Sequence, residues 1–160
     1  VQKSGQVEVV VHAAPAAVWE VVRDVTGVGE WSHECHGAVW LDGATTAEPG
    51  ARFRGRNRAG AFRWGRECEI VSIEPGALTW RTVPTLLFPD STNWTISVCD
   101  DAGGGTRVQQ TFEVVKAPKL LDIVYGAVIP AHRDRTKALS DDLRRLGDVA
   151  ARTALPTPRS

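Results

Sequence analysis

The sequence predicts an α+β domain: an antiparallel seven-stranded sheet wrapped around a long C-terminal helix, with a short helix pair after strand 1. Three observations carry that expectation. β-branched runs of strand length, separated by Gly and Pro, fill the chain from about residue 37 to residue 115. One stretch near the N-terminus has apolar residues at helical spacing, and after Pro118 the apolar period lengthens to 3–4 residues and stays there. The 160 residues, 42% hydrophobic and 24% charged, suffice for one such domain and are too few for two of ordinary size.

The first strand is Gln6–His12, a β-branched run bounded by Ala-Ala-Pro. Pro15 suits the first turn of a helix, and Val18, Trp19, Val22 and Val25 recur at helical spacing up to Gly27. Glu30 to Cys35 forms a helical turn or loop. Strands follow over 37–43, 50–58, 61–73, 77–83, 91–100 and 105–115, with turn signals at Asn57 to Gly60, Glu74 to Gly76 and Asp100 to Gly105. In the terminal region, 119–151, Leu139, Leu143, Leu146 and Val149 form one stripe. Arg133, Asp134, Arg135, Lys137, Asp141, Asp142, Arg144 and Arg145 are read as lying on the other faces. Pro130 divides this region into two helical pieces or kinks it. The expected domain spans 1–152, with 153–160 as a flexible tail.

Strand alternation sorts the side chains between two faces. In the hairpin at Ala59-Gly60, the apolar face of the second arm carries Phe62, Trp64, Cys68 and Ile70. Setting Arg58 opposite Ala61 puts Gly55 opposite Trp64, Phe53 opposite Arg66 and Glu67 opposite Arg52. The outer face then collects Arg52, Arg54, Arg56, Arg58 and Arg63, a solvated surface partly paired with Glu67 and Glu69. The inner surface combines Phe53, Trp64, Trp80, Trp94 and Phe112 with Asn57, Arg66, Thr82, Thr92 and Gln110. A mostly apolar wall with sparse polar points has the composition of a small-molecule pocket; the alternative is that these aromatics simply fill the core. The candidate ligand contacts are Trp31, Phe53, Asn57, Trp64, Trp80, Thr92, Trp94, Gln110 and Phe112, with Tyr125 and His132 near the entrance.

Arg66 falls on the apolar face, where a guanidinium must find a carboxylate or several acceptors. Glu34 is the candidate partner across the cavity mouth. Such a pair is either a structural salt bridge or, if apolar walls raise the carboxyl pKa, a catalytic acid/base device. His33-Glu34-Cys35-His36 contains metal-ligand types without three or four converging positions, so no metal is expected. His33 and His36 are read as exposed and Cys35 as a small buried residue. Gly103-Gly104-Gly105 is a hairpin tip, and there is no phosphate loop, dinucleotide fingerprint or Ser-His-Asp constellation, so no cofactor is called for. The apolar, proline-bounded loop Val83–Asp90 is either a gate over the pocket or a homodimer contact.

Nineteen Lys and Arg balance nineteen Asp and Glu, which argues against nucleic acid as a partner. Cys35, Cys68 and Cys99 are odd in number and far apart, as expected of reduced thiols in the cytoplasm. No signal peptide is visible, and the apolar stretches end well short of the roughly 18 residues that a membrane span requires. The dominance of Arg over Lys, with abundant Ala, Gly and Val, suggests a GC-rich bacterial source.

Four segments carry a family resemblance: Ala-Ala-Pro-Ala-Ala-Val-Trp-Glu-Val-Val-Arg-Asp (13–24), Glu-Trp-Ser-His-Glu-Cys (30–35), Pro-Gly-Ala-Arg-Phe-Arg-Gly-Arg-Asn-Arg (49–58) and Gly-Gly-Thr-Arg-Val (104–108). With the element order, they resemble the polyketide cyclase/dehydrase-like branch of the START-related SRPBCC superfamily over about residues 6–150. The resemblance implies a helix-grip fold with a hydrophobic cavity between the sheet and the C-terminal helix. That fold serves cyclases, carriers and receptors alike, so it does not choose a reaction. The expected function is binding of a hydrophobic or aromatic, lipid- or polyketide-like small molecule. The alternative is a cyclase, aromatase or dehydratase using Glu34 and Arg66, and a third reading is a protein-interaction or toxin-like module acting through the 83–90 loop.

Overall fold

A computed structural model describes residues 2–129 and 134–154, without the side chains of Leu121 and Tyr125. The chain runs β1 (Ser4–Val11), α1 (Pro15–Arg23), a 3-10 turn (Val25–Glu30), β2 (Cys35–Trp40), β3 (Arg52–Ala59), β4 (Phe62–Glu74), β5 (Ala77–Thr82), β6 (Ser91–Asp100), β7 (Thr106–Lys116), α2 (Lys119–Val128) and α3 (Thr136–Thr153). All seven strands form one antiparallel sheet in the order β1-β7-β6-β5-β4-β3-β2. β1 and β2 are therefore the two edges, and α1 with the 3-10 turn carries the chain from one edge to the other. This is the helix-grip arrangement that the sequence predicts.

The first helix stops earlier than its apolar period suggests. Asp24 leaves helical geometry, and its carboxylate accepts from the Thr26 backbone N–H at 3.2 Å, capping the 3-10 turn instead. The terminal region does divide into two helices, α2 and α3.

The β3–β4 hairpin corrects one expectation. Ala59 pairs with Phe62 across a two-residue loop, Gly60-Ala61, in which Gly60 takes a φ of 60°. Every partner therefore moves by two residues: Asn57 faces Trp64, Gly55 faces Arg66, Phe53 faces Cys68 and Arg54 faces Glu67. A shift of two leaves each side chain on its predicted face. The outer arginines find their acids accordingly, Arg54 with Glu67 at 2.6 Å and Arg52 with Glu69 at 3.1 Å.

The core lies between the sheet and the helices. Leu139, Leu143, Leu146, Val149 and Ala150 of α3 are buried with Val18 and Val22 of α1 and with Val7, Val11 and Val108 of the sheet. α3 leans chiefly on β1, β7 and α1. A helix is only about 10–12 Å across, whereas the sheet extends four further strands beyond β6. That far part of the concave face is left for other residues to cover.

Candidate functional site

The uncovered floor is a cavity of about 180 Å3. Alternate residues of five successive strands line it: Phe53, Gly55 and Asn57 from β3, Trp64, Arg66 and Cys68 from β4, Leu78, Trp80 and Thr82 from β5, Thr92, Trp94 and Ile96 from β6, and Gln110 and Val114 from β7. Val22, Val25, Val28 and Trp31 roof it, and His33, Glu34, Asp90, Asp122, Arg135, Leu139 and Asp142 also reach its wall. Its size is of the order of the roughly 150 Å3 apolar cavities that admit a benzene ring.

Tryptophan dominates the floor. Trp80 and Trp94 are paired across β5 and β6, with ring centroids 6.3 Å apart and planes 11° from parallel. Trp94 also leans on Phe112 at 5.2 Å. Phe112 is buried behind Trp94 and does not itself line the cavity. The other candidate contacts Trp31, Phe53, Asn57, Trp64, Trp80, Thr92, Trp94 and Gln110 are all brought to its wall. His132 and the side chain of Tyr125 lie outside the described residues.

Arg66 is buried as alternation requires, yet its partner is not Glu34. Its Nη1 donates to both carboxylate oxygens of Asp90, at 3.0 and 3.1 Å, and its Nη2 donates to the Asp90 carbonyl at 3.1 Å. The guanidinium also lies 5.2 Å from the Phe88 ring centroid. Asp90 ends the proline-bounded loop, and its proximity to β4 in space was invisible in the sequence. The pair ties that loop to the cavity rim, while Leu86 and Leu87 at its tip are 101% and 81% exposed.

His33 is exposed in the loop, as expected, but it is tied down there. Its Nδ1 lies 2.7 Å from Asp142 Oδ2, and its backbone N–H donates to Asp142 Oδ1 at 2.9 Å. This hydrogen bond raises the His33 pKa, with burial opposing it. Asp142 is buried, which corrects its placement on an outer face of α3, and it also accepts from Arg145 Nη2. Arg145 Nε in turn donates to the Trp31 carbonyl at 2.9 Å, so the cavity roof is stapled to α3. His36 is exposed as expected, but on β2 rather than in a loop.

Arg135, likewise assigned to an outer face, turns into the cavity. Its guanidinium lies 5.4 Å from the Trp94 ring centroid and 5.6 Å from that of Phe112. Both corrections have one signal. Arg135 is one turn before Leu139, and Asp142 is three residues after Leu139 and four before Leu146, so helical spacing puts both on the apolar stripe.

The two thiols at the cavity, Cys35 and Cys68, offer little nucleophilic chemistry. Burial pushes the Cys68 pKa up to about 12, and Cys35 is also raised by burial. Among the described residues no three His, Cys, Asp or Glu side chains are grouped to hold a metal ion. No helix of the described chain is long and apolar enough to cross a membrane.

Solved structures of similar shape are numerous. One di-domain aromatase/cyclase, BexL from the BE-7585A biosynthetic pathway, is 18% identical with a TM-score of 0.67, over 97% of this chain and 50% of that one. The protein TTHA0849 from Thermus thermophilus is 16% identical, with a TM-score of 0.67 over 95% of this chain and 99% of that one. Major latex-like protein 151 from Panax ginseng is 13% identical, with a TM-score of 0.60 over 97% and 100%. At such identities the likeness is one of fold. No curated protein matches the sequence. The family model described as polyketide cyclase / dehydrase and lipid transport matches residues 2–148, and with the sheet, the gripped helix and the cavity between them on view, the chain belongs to that family.

Proposed function

We propose that the protein binds a planar, hydrophobic small molecule, aromatic or polyketide-like, in the cavity between the sheet and α3. The observation that carries this reading is the Trp80–Trp94 pair. Both rings are only partly buried and border unfilled space in the middle of the fold. Indoles committed to the core would be covered on all sides, whereas a stacked pair facing a void offers a flat apolar surface for a ring. The family description, which joins cyclases and dehydrases with lipid transport, accords with such an occupant. Three free thiols are consistent with the cytoplasm as the working compartment.

Titration with a neutral two-ring probe, 2-naphthamide, followed by tryptophan quenching and calorimetry, tests the proposal. Saturable one-to-one binding is expected, and Trp94→Leu should weaken it on the order of tenfold through lost stacking and contact area. Equal affinity in the variant would overturn it, as would failure of the wild type to bind either this amide or the corresponding carboxylate, 2-naphthoate. Turnover by a Glu34–Arg66 device loses support from the geometry, because Asp90 already neutralises Arg66.

A further inference from the structure

We infer that the occupant of the cavity carries an anionic oxygen group, a ring carboxylate or phenolate, and that Arg135 is the residue that receives it. The inference rests on the proposal that the cavity binds a planar small molecule, and it adds the polar half of that ligand.

Arg135 immediately precedes α3, and its backbone N–H donates to Gln2 Oε1 at 2.9 Å, so the root of the side chain is anchored. Its guanidinium sits over two aromatic rings, its Nε is buried, and that Nε has no hydrogen-bond partner among the described residues. Burial lowers its pKa, as expected of a cation held in apolar surroundings. Cation–π contacts return only part of what it costs to take a guanidinium out of water. A carboxylate is the missing partner.

The protein's own cavity carboxylates are engaged elsewhere. Asp90 is held by Arg66, Asp122 by Lys3, and Asp142 by His33 and Arg145. Glu34 has a contact of its own. Glu34 and Asp90 are near enough to favour the charge on Arg135, yet among the described residues none forms an ion pair with it.

A second observation points the same way. Among the described residues the buried side-chain polar atoms without partners are Trp31 Nε1, Arg66 Nε, Gln110 Oε1 and Arg135 Nε, and all four residues line this one cavity. Unpaired buried polar atoms are rare in folded proteins, and each costs free energy. Three of the four are N–H donors, so the complement they describe is rich in acceptor oxygens. A guanidinium fork matches a carboxylate in two parallel hydrogen bonds.

The test compares 2-naphthoate with the near-isosteric, neutral 2-naphthamide by calorimetry at one pH and salt concentration. Wild-type protein should bind the carboxylate at least tenfold more tightly. Arg135→Gln should bring the two ligands within about twofold of each other, with Arg135→Lys retaining part of the preference. Unliganded Arg135→Gln should melt no lower than wild type, since a half-buried charge with no ion-pair partner among the described residues has been removed. Equal wild-type affinities, a preference that survives Arg135→Gln, or a lower melting temperature in that variant would each overturn the anion site while leaving ring binding intact. Failure of both ligands to bind would overturn the cavity proposal itself, and this inference with it.

Discussion

Asp142 accepts hydrogen bonds from the His33 backbone, the His33 ring and Arg145, and this makes stability depend on pH in a definite direction. His33 is held above its ordinary value of 6.5, chiefly by the Asp142 hydrogen bond; Glu34 adds to the rise, and burial and Arg135 oppose it. A group whose folded-state pKa exceeds its unfolded value stabilises the fold while protonated. That contribution is full below about 6.5 and is lost as pH climbs through the higher folded value. Thermal melts should therefore show stability falling over that window. Asp142→Asn should flatten the dependence and lower stability by about 2 kcal/mol. A wild-type melting temperature that rises through the window would contradict the staple. Arg66 and Asp90 allow a sharper comparison, since both are largely buried. Asp90→Asn strands a buried charge and should cost about 3–5 kcal/mol in urea unfolding, while Arg66→Met with Asp90→Leu should recover most of it. At this scale the sequence is half legible. Alternation marked Arg66 as buried and helical spacing held the clue to Asp142 and Arg135, but nothing local tells a buried arginine which distant carboxylate it meets.

At the scale of elements, the contact between α3 and β1 decides how much sheet remains uncovered. Gly147 makes it close: a Cβ there would meet Val11 Cβ and Cγ1 at 2.5 Å. Alanine gains up to about 1 kcal/mol over glycine in helix propensity, but overpacking a fixed contact costs about 1–3 kcal/mol. Gly147→Ala should therefore be net destabilising, with Val11→Ala in the same chain restoring part of the loss; a stabilised single variant would show that α3 can lift off β1. The strands were legible almost to their ends because alternation and Gly/Pro punctuation are local signals. The hairpin of β3 with β4 was legible too, but its register was not, because register depends on which residues the turn consumes. The actual two-residue loop at Gly60-Ala61 conserves faces and changes every opposite neighbour. Gly55 thus pairs with Arg66 rather than Trp64, and a Cβ there would meet Cys35 Sγ at 3.2 Å.

For the whole molecule, the cavity follows from a mismatch of widths. The sheet has seven strands and α3 packs chiefly on the β1–β7 side, so the aromatic floor of β3 to β6 is roofed by the 3-10 turn and Trp31 and is left partly unfilled. Element order and inner-face composition made the existence of this space readable in the sequence; its polar chemistry depends on Asp90, Asp142 and Arg135, which only the fold brings together. The central claim is that a small molecule occupies it. Native mass spectrometry of protein purified from its own host, followed by denaturing extraction, tests that most directly. A stoichiometric ligand built on a planar ring system is the expected result. Protein that arrives empty and also fails to bind 2-naphthoate and 2-naphthamide would contradict it, and would mean that the tryptophans serve only the core.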